Sequence, residues 1–450
     1  MQPTLPVPGF GREVRTTAIL AAPLVAGHLS TGLIGFVDSV IAGHHGTETL
    51  AAVAVGAALW ALPMMLPMGT LMSLPPAVSQ LDGSGRREGI GTLFRQSLWL
   101  AAALGVLMWA FLGLVVLGLE PMGIAPEVRP GARDFLHGIR WGAPALTLYL
   151  AMRYLSDGLH WTLPTMVLGF GGLLLLVPLG YALTFGVPWA SIPEMGAGGL
   201  GIASATMLWA QALGFAVYLW WSPRFAALGL FDRFEWPRRA PIAGLLRTGL
   251  PIGVTVAMEG GLFIVTALLI GRLGAVEVAA HQIALNVSAL CFMIPFGLAE
   301  ATTVRVGHAL GRSNADAVRR AAFAGYALAL GTQAVSAVLL LLGNETVVAL
   351  YTGDAAVAAL AASLLLYAAA FQFPDGIQVV SAGALRGLGD TRVPMFLAAL
   401  AYWGIGMPLG AFLGLSLGWG PRGMWIGLIA GLTVAAFLLA RRFLRSSAPR

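Results

Sequence analysis

Long runs of apolar residues, separated by short polar segments, follow one another along most of the chain. A helix needs about 20 apolar residues to cross the hydrocarbon layer of a bilayer. The runs are continuous rather than alternating, which favours membrane helices over the strands of a barrel. This pattern predicts twelve spans, at residues 16–42, 50–77, 96–118, 134–153, 163–187, 198–221, 248–271, 279–306, 319–343, 357–381, 393–416 and 422–440.

The chain repeats itself at a separation of about 230 residues. A shift of 228 superposes Pro23 on Pro251, Gly43 on Gly271, Pro67 on Pro295 and Gly83 on Gly311, and a shift of 230 superposes Pro164 on Pro394 and Pro178 on Pro408. Aligned prolines and glycines with almost no gaps indicate two related halves. An even number of spans per half inserts both halves the same way up, as in transporters built from parallel repeats.

One long polar segment interrupts the apolar runs, at residues 222–247 in mid-chain. We therefore predict an N-lobe at 1–221, a cytoplasmic linker at 222–247 and a C-lobe at 248–450. The predicted fold is all-α and polytopic, with two six-helix lobes related by a pseudo-two-fold axis along the membrane normal.

Composition supports the membrane assignment, because 58% of the residues are hydrophobic and 10% are charged. Soluble domains carry about a quarter charged residues. The single cysteine, Cys291, excludes an internal disulfide or a cysteine metal site. The arginines lie at the ends of apolar runs and form no basic face, so nucleic-acid binding is not expected.

The distribution of arginine predicts the orientation. Lysine is absent, and twelve spans place Arg129, Arg133, Arg140, Arg272 and Arg422 on one side and the remaining arginines on the side of both termini. Basic residues concentrate in cytoplasmic loops. The termini are therefore predicted to be cytoplasmic, in a multi-pass protein of a bacterial inner membrane.

Four acidic residues, Asp38, Glu259, Glu300 and Asp375, fall within predicted spans. A charge at the centre of a membrane costs roughly 3 kcal/mol on insertion scales, so such residues commonly face a cavity. A buried carboxyl group can exchange a proton or Na⁺, as an antiporter requires. The alternative is a neutral acid that hydrogen-bonds two helices together.

Several polar or helix-distorting residues accompany these acids. Gln378 lies one turn after Asp375, where it could orient the acid or supply an oxygen ligand. Pro374 frees a backbone carbonyl beside Asp375, or it simply kinks the helix. Gln282 and Asn286, spaced i, i+4, could line a substrate cavity or join helices.

No phosphate-binding loop, catalytic triad or zinc-protease motif occurs in the sequence. A secondary transporter without a cofactor is therefore expected rather than an enzyme. Two alternatives stay open. One is a flippase for a lipid-linked oligosaccharide or lipid, which usually carries cationic residues inside its cavity. The other is an integral membrane enzyme that modifies lipids, which needs clustered polar residues at one membrane face.

Five segments together resemble the multidrug and toxic compound extrusion (MATE) family, in its NorM-like branch: residues 36–56, 249–263, 274–290, 295–311 and 383–394. The resemblance extends over roughly residues 16–440. It implies two six-helix lobes around a central cleft. It also implies export of amphipathic, often cationic drugs in exchange for Na⁺ or H⁺, by a chain expected to be monomeric in the bilayer.

The resemblance also implies residue roles. Asp38 matches the acid of the first span, and Pro23 matches the proline at which that helix bends. Glu259 and Asp375 match the paired acids of the C-lobe cation site, which would hold Na⁺ in a sodium-coupled protein. Gln282 and Asn286 match positions associated with the drug cavity.

The chain departs from the family pattern near the first-span acid. Leu176 and Gly180 stand where many relatives have asparagines. This weakens a complete N-lobe Na⁺ site and favours Asp38 as a proton site. Glu300, where relatives usually have a small or neutral residue, is left as an auxiliary site together with Gln378.

Overall fold

A computed structural model describes residues 9–448, and apart from an isolated β-bridge between Val187 and Ile192 their regular structure is helical. Sixteen α-helices follow in order: α1 Phe10–His45, α2 Thr47–Leu71, α3 Leu74–Gly83, α4 Glu88–Leu117, α5 Arg129–Ile139, α6 Ala143–Gly158, α7 Leu163–Phe185, α8 Gly196–Trp221, α9 Pro223–Ala226, α10 Arg239–Gly271, α11 Ala275–Gly311, α12 Ala315–Ala349, α13 Ala355–Gly387, α14 Arg392–Ala399, α15 Met407–Ala411 and α16 Gly420–Ser446.

Eleven spans in the described residues are long and apolar enough to cross a membrane as uninterrupted helices or closely joined pairs. The predicted fourth span, 134–153, is instead shared by α5 and α6, which a 3₁₀ turn at Arg140–Gly142 separates. Pro144 lacks the N–H that would bond to the carbonyl of Arg140, so the α-helical ladder is interrupted here. The carbonyl of Trp141 accepts a hydrogen bond from Trp209 Nε1 at 3.0 Å.

The predicted eleventh span also departs from regular α-helix. π-Helical segments at Leu400–Gly406 and Phe412–Ser416 flank the short helix α15. Pro408 lies in α15 and cannot donate a backbone hydrogen bond, which favours a local change of helix type. The first π-helical segment carries Tyr402.

The chain divides into two compact units. The N-unit comprises Ala26–Gly253, and the C-unit comprises the described residues up to Val25 together with those from Val254 onward. These boundaries differ from the predicted lobes, because α1 and α10 each contribute to both units. Each division comes two residues after a proline, Pro23 in α1 and Pro251 in α10.

Each unit has its own apolar core. In the N-unit, α5 and α7 pack on α8, and Phe135, Leu136 and Leu200 are fully or almost fully buried. In the C-unit, α13 is central and packs against α11, α12 and α16, with Tyr402 and Trp425 buried. Small residues allow close helix contact, as in other membrane bundles.

The predicted linker is shorter than expected and is ordered. Helix α9 occupies its beginning, and α10 starts at Arg239, so the non-helical part is residues 227–238. We call this segment the strap. It is bound to α4, since Gln96 Nε2 donates to the Trp236 carbonyl at 3.0 Å and Trp99 Nε1 donates to the Glu235 carbonyl at 2.9 Å.

Candidate functional site

Asp38 is buried in the second half of α1, within the N-unit. Its Oδ1 atom is buried and has no hydrogen-bond partner among the described residues. The carboxyl group lies beside the hydroxyl of Ser204 on α8. A buried carboxyl oxygen with spare hydrogen-bonding capacity is suited to carrying an exchangeable proton.

Leu176 and Gly180 stand on α7 where many relatives have asparagines, and both lie in apolar surroundings. Gly180 of α7 lies close to Ile41, which is one turn after Asp38, and to Leu200 of α8. Leu176, one turn before Gly180, is completely buried. Neither position supplies the amide oxygen that an asparagine would bring.

Glu259 and Asp375 lie in the C-unit, on α10 and α13, and are close enough to interact electrostatically. Asp375 is 2% exposed, whereas Glu259 is half-buried. The structure thus brings together two acids that are 116 residues apart in the chain, as the resemblance implied. Asp38 belongs to the other unit.

Tyr402 is a member of this group that the sequence analysis did not identify. It is fully buried and lies within electrostatic range of both Glu259 and Asp375. Gln378 Nε2 donates a hydrogen bond of 2.5 Å to Tyr402 Oη. The phenolic hydrogen is then available for another acceptor. A tyrosine inside an apolar span is the signal that could have pointed to it.

The oxygen atoms of the C-unit group fit a hard cation better than those near Asp38. Glu259 and Asp375 offer carboxylates, and the buried Gln378 Oε1 has no hydrogen-bond partner among the described residues. Hard cations prefer several oxygen ligands of this kind. These three residues would hold Na⁺ if the C-unit binds it.

The predicted auxiliary residues occupy the same unit. Glu300 is buried on α11, next to Ala299, whose backbone packs against Gly383 of α13. Pro374 lies inside α13, and the helix continues through it. Pro23 likewise lies inside α1, immediately before the division between the units.

Gln282 and Asn286 are exposed side chains on one face of α11. Tyr351 donates a hydrogen bond of 2.8 Å to Asn286 Oδ1. An exposed amide within a membrane span is costly against lipid and is favoured where a water-filled surface is available. Their predicted place in a substrate cavity stays a prediction.

The N-unit also holds a buried ionic group that was not predicted. Arg153 Nε donates to Asp157 Oδ2 at 3.2 Å within α6, and Thr165 of α7 donates to Asp157 Oδ1 at 2.9 Å. Arg153 Nη2 lies 3.4 Å from His28 Nε2 on α1. The i, i+4 spacing of opposite charges was the available signal, but the predicted span ended at residue 153.

The chain has two related repeats, each forms a helical bundle, and carboxyl groups are buried within the helices. Together these features define a polytopic membrane transporter. A family model described as MatE matches the chain twice, at residues 23–182 and 251–412. The matches begin 228 residues apart and end 230 apart, which confirms the predicted repeat. The chain belongs to the MatE family of multidrug and toxic compound extrusion transporters, in its NorM-like branch.

Individual relatives agree along nearly the full chain. The "Probable multidrug resistance protein NorM" of Xanthomonas campestris pv. campestris is 68% identical, and the match covers 98% of this chain and 96% of that protein. The "Multidrug resistance protein PmpM" of Pseudomonas aeruginosa is 47% identical, with 97% and 92% covered.

The fold has experimental counterparts. The crystal structure of the eukaryotic MATE transporter AtDTX14 superposes with a TM-score of 0.86 at 19% identity, covering 98% of this chain and 99% of that one. This likeness concerns the fold alone. It confirms the predicted all-helical, two-lobe fold class.

Proposed function

We propose that this chain is a multidrug antiporter that expels amphipathic, often cationic compounds and takes up protons in exchange. Export of drugs is supported by its family and by relatives described as multidrug resistance proteins. The sequence offers no nucleotide-binding loop to power transport by ATP. The flippase and lipid-enzyme alternatives gain no support from the family match.

The observation that carries proton coupling is the environment of Asp38. Its buried Oδ1 has no hydrogen-bond partner in the described part of the chain, and the hydroxyl of Ser204 lies beside the carboxyl group. A proton needs one acceptor atom, whereas a bound metal ion needs several oxygen ligands. Asp38 therefore favours H⁺ over Na⁺ in the N-unit.

Glu259 and Asp375 form a second coupling site in the C-unit. Two nearby carboxylates repel each other when both are ionised, so the pair gains from binding a positive ion. Bound Na⁺ would neutralise this repulsion, and Gln378 Oε1 would add a neutral oxygen ligand. Uptake of one proton by the pair would relieve the same repulsion.

Transport requires that the drug and the ion each favour a different conformation of the protein. We assign Gln282 and Asn286 to the drug-binding surface, where their amides would contact polar groups of the substrate.

Both termini are proposed to lie in the cytoplasm of a bacterial cell, as the distribution of arginine predicts. External protons would then enter the cell as the drug leaves it. The working protein is proposed to be a monomer.

Transport by purified protein in liposomes tests the proposal. Efflux of a cationic dye is measured under an imposed proton gradient and, separately, under an imposed Na⁺ gradient. Wild type is expected to respond to the proton gradient. Asp38→Asn, Glu259→Gln and Asp375→Asn are each expected to lower driven efflux at least tenfold while leaving the protein folded.

Glu345→Gln is the matched control, because Glu345 is an exposed acid on α12. It is expected to transport like wild type. Efflux driven by the Na⁺ gradient alone would contradict proton coupling. Undiminished coupling in all three acid variants would contradict the assignment of the sites, and failure of both gradients would contradict antiport.

A further inference from the structure

Arg140 is a charged residue inside a membrane span for which proton–drug exchange gives no role. It begins the 3₁₀ turn between α5 and α6. Its guanidinium carbon lies 5.1 Å from the ring centre of Trp109 on α4 and 5.8 Å from that of Trp141. Gly113 leaves room for it, since a Cβ atom there would come within 3.1 Å of Arg140 Nη1.

The protein does not neutralise this charge. Arg140 forms no ion pair or hydrogen bond with any described residue, and its Nε atom is buried. The indole N–H of Trp109, beside it, is also buried and has no acceptor in the described residues. The titratable His137 of α5 lies within electrostatic range of Arg140, and also of Arg133 and Asp134. A cation and a second donor left without an acceptor are costly, so an external anion is favoured here.

The surrounding surface is apolar and exposed. Val106 of α4 is 57% exposed, Trp141 56% and Leu213 of α8 60%. Trp209, one turn before Leu213, is also exposed and bonds to the Trp141 carbonyl. In a membrane protein such a surface contacts lipid.

The depth of the site agrees with a lipid headgroup. Helix α4 has 30 residues, so it is about 45 Å long and exceeds the hydrocarbon layer by roughly 15 Å. Trp109 lies eight residues before the end of α4 at Leu117, a rise of about 12 Å. On the neighbouring helix, Arg140 comes three to seven residues after the polar residues His137, Asp134 and Arg133 of α5, a rise of about 5–10 Å, so its long side chain can reach the phosphate layer at this end of the bundle.

We propose that Arg140, Trp109 and Trp141 bind the phosphodiester of a membrane phospholipid in the leaflet at the Leu117 end of α4. Guanidinium groups bind phosphate oxygens through two parallel hydrogen bonds, and the Trp109 N–H supplies a third. The two indole rings hold the guanidinium plane in position. The acyl chains then lie along the exposed apolar surface of α4 and α8.

Lipid binding to the delipidated full-length protein in detergent tests the site, with native mass spectrometry as the readout. Wild type is expected to bind a palmitoyl-oleoyl phosphatidylglycerol, and Arg140→Gln to weaken this binding at least tenfold. Trp109→Phe keeps an aromatic ring but removes the N–H, and is expected to weaken binding a few-fold. Arg133→Gln, which changes an exposed arginine on α5, is the matched control and is expected to bind like wild type.

Two competitors identify the source of the phosphate. Diacylglycerol with the same acyl chains lacks the phosphate, and inorganic phosphate lacks the chains, so neither is expected to displace the lipid. Displacement by inorganic phosphate would show a free-anion site and overturn the proposal. Displacement by diacylglycerol, or equal affinity in wild type and Arg140→Gln, would also overturn it. The competition uses wild-type protein and does not depend on the folding of a variant.

Discussion

At the scale of single residues, the C-unit acids depend on neighbours that hydrogen bonds hold in place. Gln378 is buried, and its amide donates to Tyr402, so its oxygen is oriented by a fixed hydrogen bond. Next to them, Trp403 Nε1 donates to the carbonyl of Met258, one residue before Glu259. These contacts connect the first π-helical segment to the helices that carry the two acids.

Replacing Tyr402 by Phe should destabilise the protein by about 1–3 kcal/mol, because the buried amide of Gln378 loses its acceptor. Tyr402→Phe combined with Gln378→Leu should recover most of this loss, since both polar partners are then removed. Thermal unfolding of the purified variants measures the effect. Equal destabilisation in the single and the double variant would contradict the pairing.

At the scale of elements, the close contact of α11 and α13 depends on glycine. A Cβ atom at Gly383 would lie 2.5 Å from the carbonyl oxygen of Ala299. Thr303 Oγ1 of α11 donates to the Gly383 carbonyl at 2.8 Å. The helices are therefore held at a separation that a larger residue would exceed.

Gly383→Val should lower stability by about 2–3 kcal/mol or more, because the backbone of α11 would have to move away. The matched control is Gly331→Val in α12, since a Cβ atom at Gly331 meets nothing within 4 Å. Melting temperature and yield of the purified variants are the measurements. A loss of stability in both variants of similar size would show that β-branching, and not the contact, is responsible.

The strap is a second element whose attachment can be tested. Arg95 of α4 pairs with Glu235 at 2.6 Å, and Arg233 pairs with the same carboxylate at 2.7 Å. The hydrogen bond from Arg95, more than that from Arg233, holds the pKa of Glu235 below its ordinary value of 4.5. A carboxylate with a lowered pKa stabilises the fold above the pKa of the unfolded chain, and this stabilisation is lost as the pH falls through the folded pKa.

Glu235→Gln should therefore lower the melting temperature by a few degrees at pH 7. The difference from wild type should shrink as the pH falls below about 4.5, where the unfolded carboxyl group begins to protonate. Melting curves of both proteins over this pH range are compared. A difference that stays constant with pH would show that the ion pair does not hold the strap.

Hydropathy and matched prolines were sufficient for eleven of the twelve predicted spans and for the repeat, because they report on the bilayer and the duplication directly. The proximity of Glu259 and Asp375 was expected only from the family resemblance. Hydropathy did not predict the break at Arg140–Gly142, although Pro144 carried the reason for it. Tyr402 was missed because its role comes from a three-dimensional neighbour, Gln378, and not from local sequence. The same holds for Arg153, whose partner Asp157 lay beyond the predicted end of the span.

At the scale of the whole molecule, the repeats exchange their first segments. The units divide before Ala26 and before Val254, two positions separated by the 228 residues of the repeat. The segment of α1 before the division packs in the C-unit, where Leu20 and Leu24 join the core around Leu298. In the other direction, Gly249 and Gly253 of α10 lie against Thr70 and Leu66 of α2 in the N-unit.

An ion pair between Glu13 and Arg305 tests this exchange. The arginine Nε and Nη2 atoms donate to the two carboxylate oxygens at 2.8 and 2.7 Å, and Glu13 is 4% exposed. Glu13→Gln and Arg305→Gln should each lower stability by about 2–3 kcal/mol, because the remaining charge loses its partner. The double variant should be far less destabilised than the sum of the two, as measured by a cycle of melting temperatures. Additive losses would contradict the pairing of these segments.

The exchanged segments also set the order in which the protein can be assembled. Residues 10–25 leave the ribosome well before their neighbours on α11, which are made some 270 residues later, a delay on the order of tens of seconds at ordinary rates of translation. The N-unit, for its part, is complete only when α10 has followed through Gly253. During biogenesis, the beginning of α1 must therefore remain without its packing partners on α11 until the second repeat has been inserted.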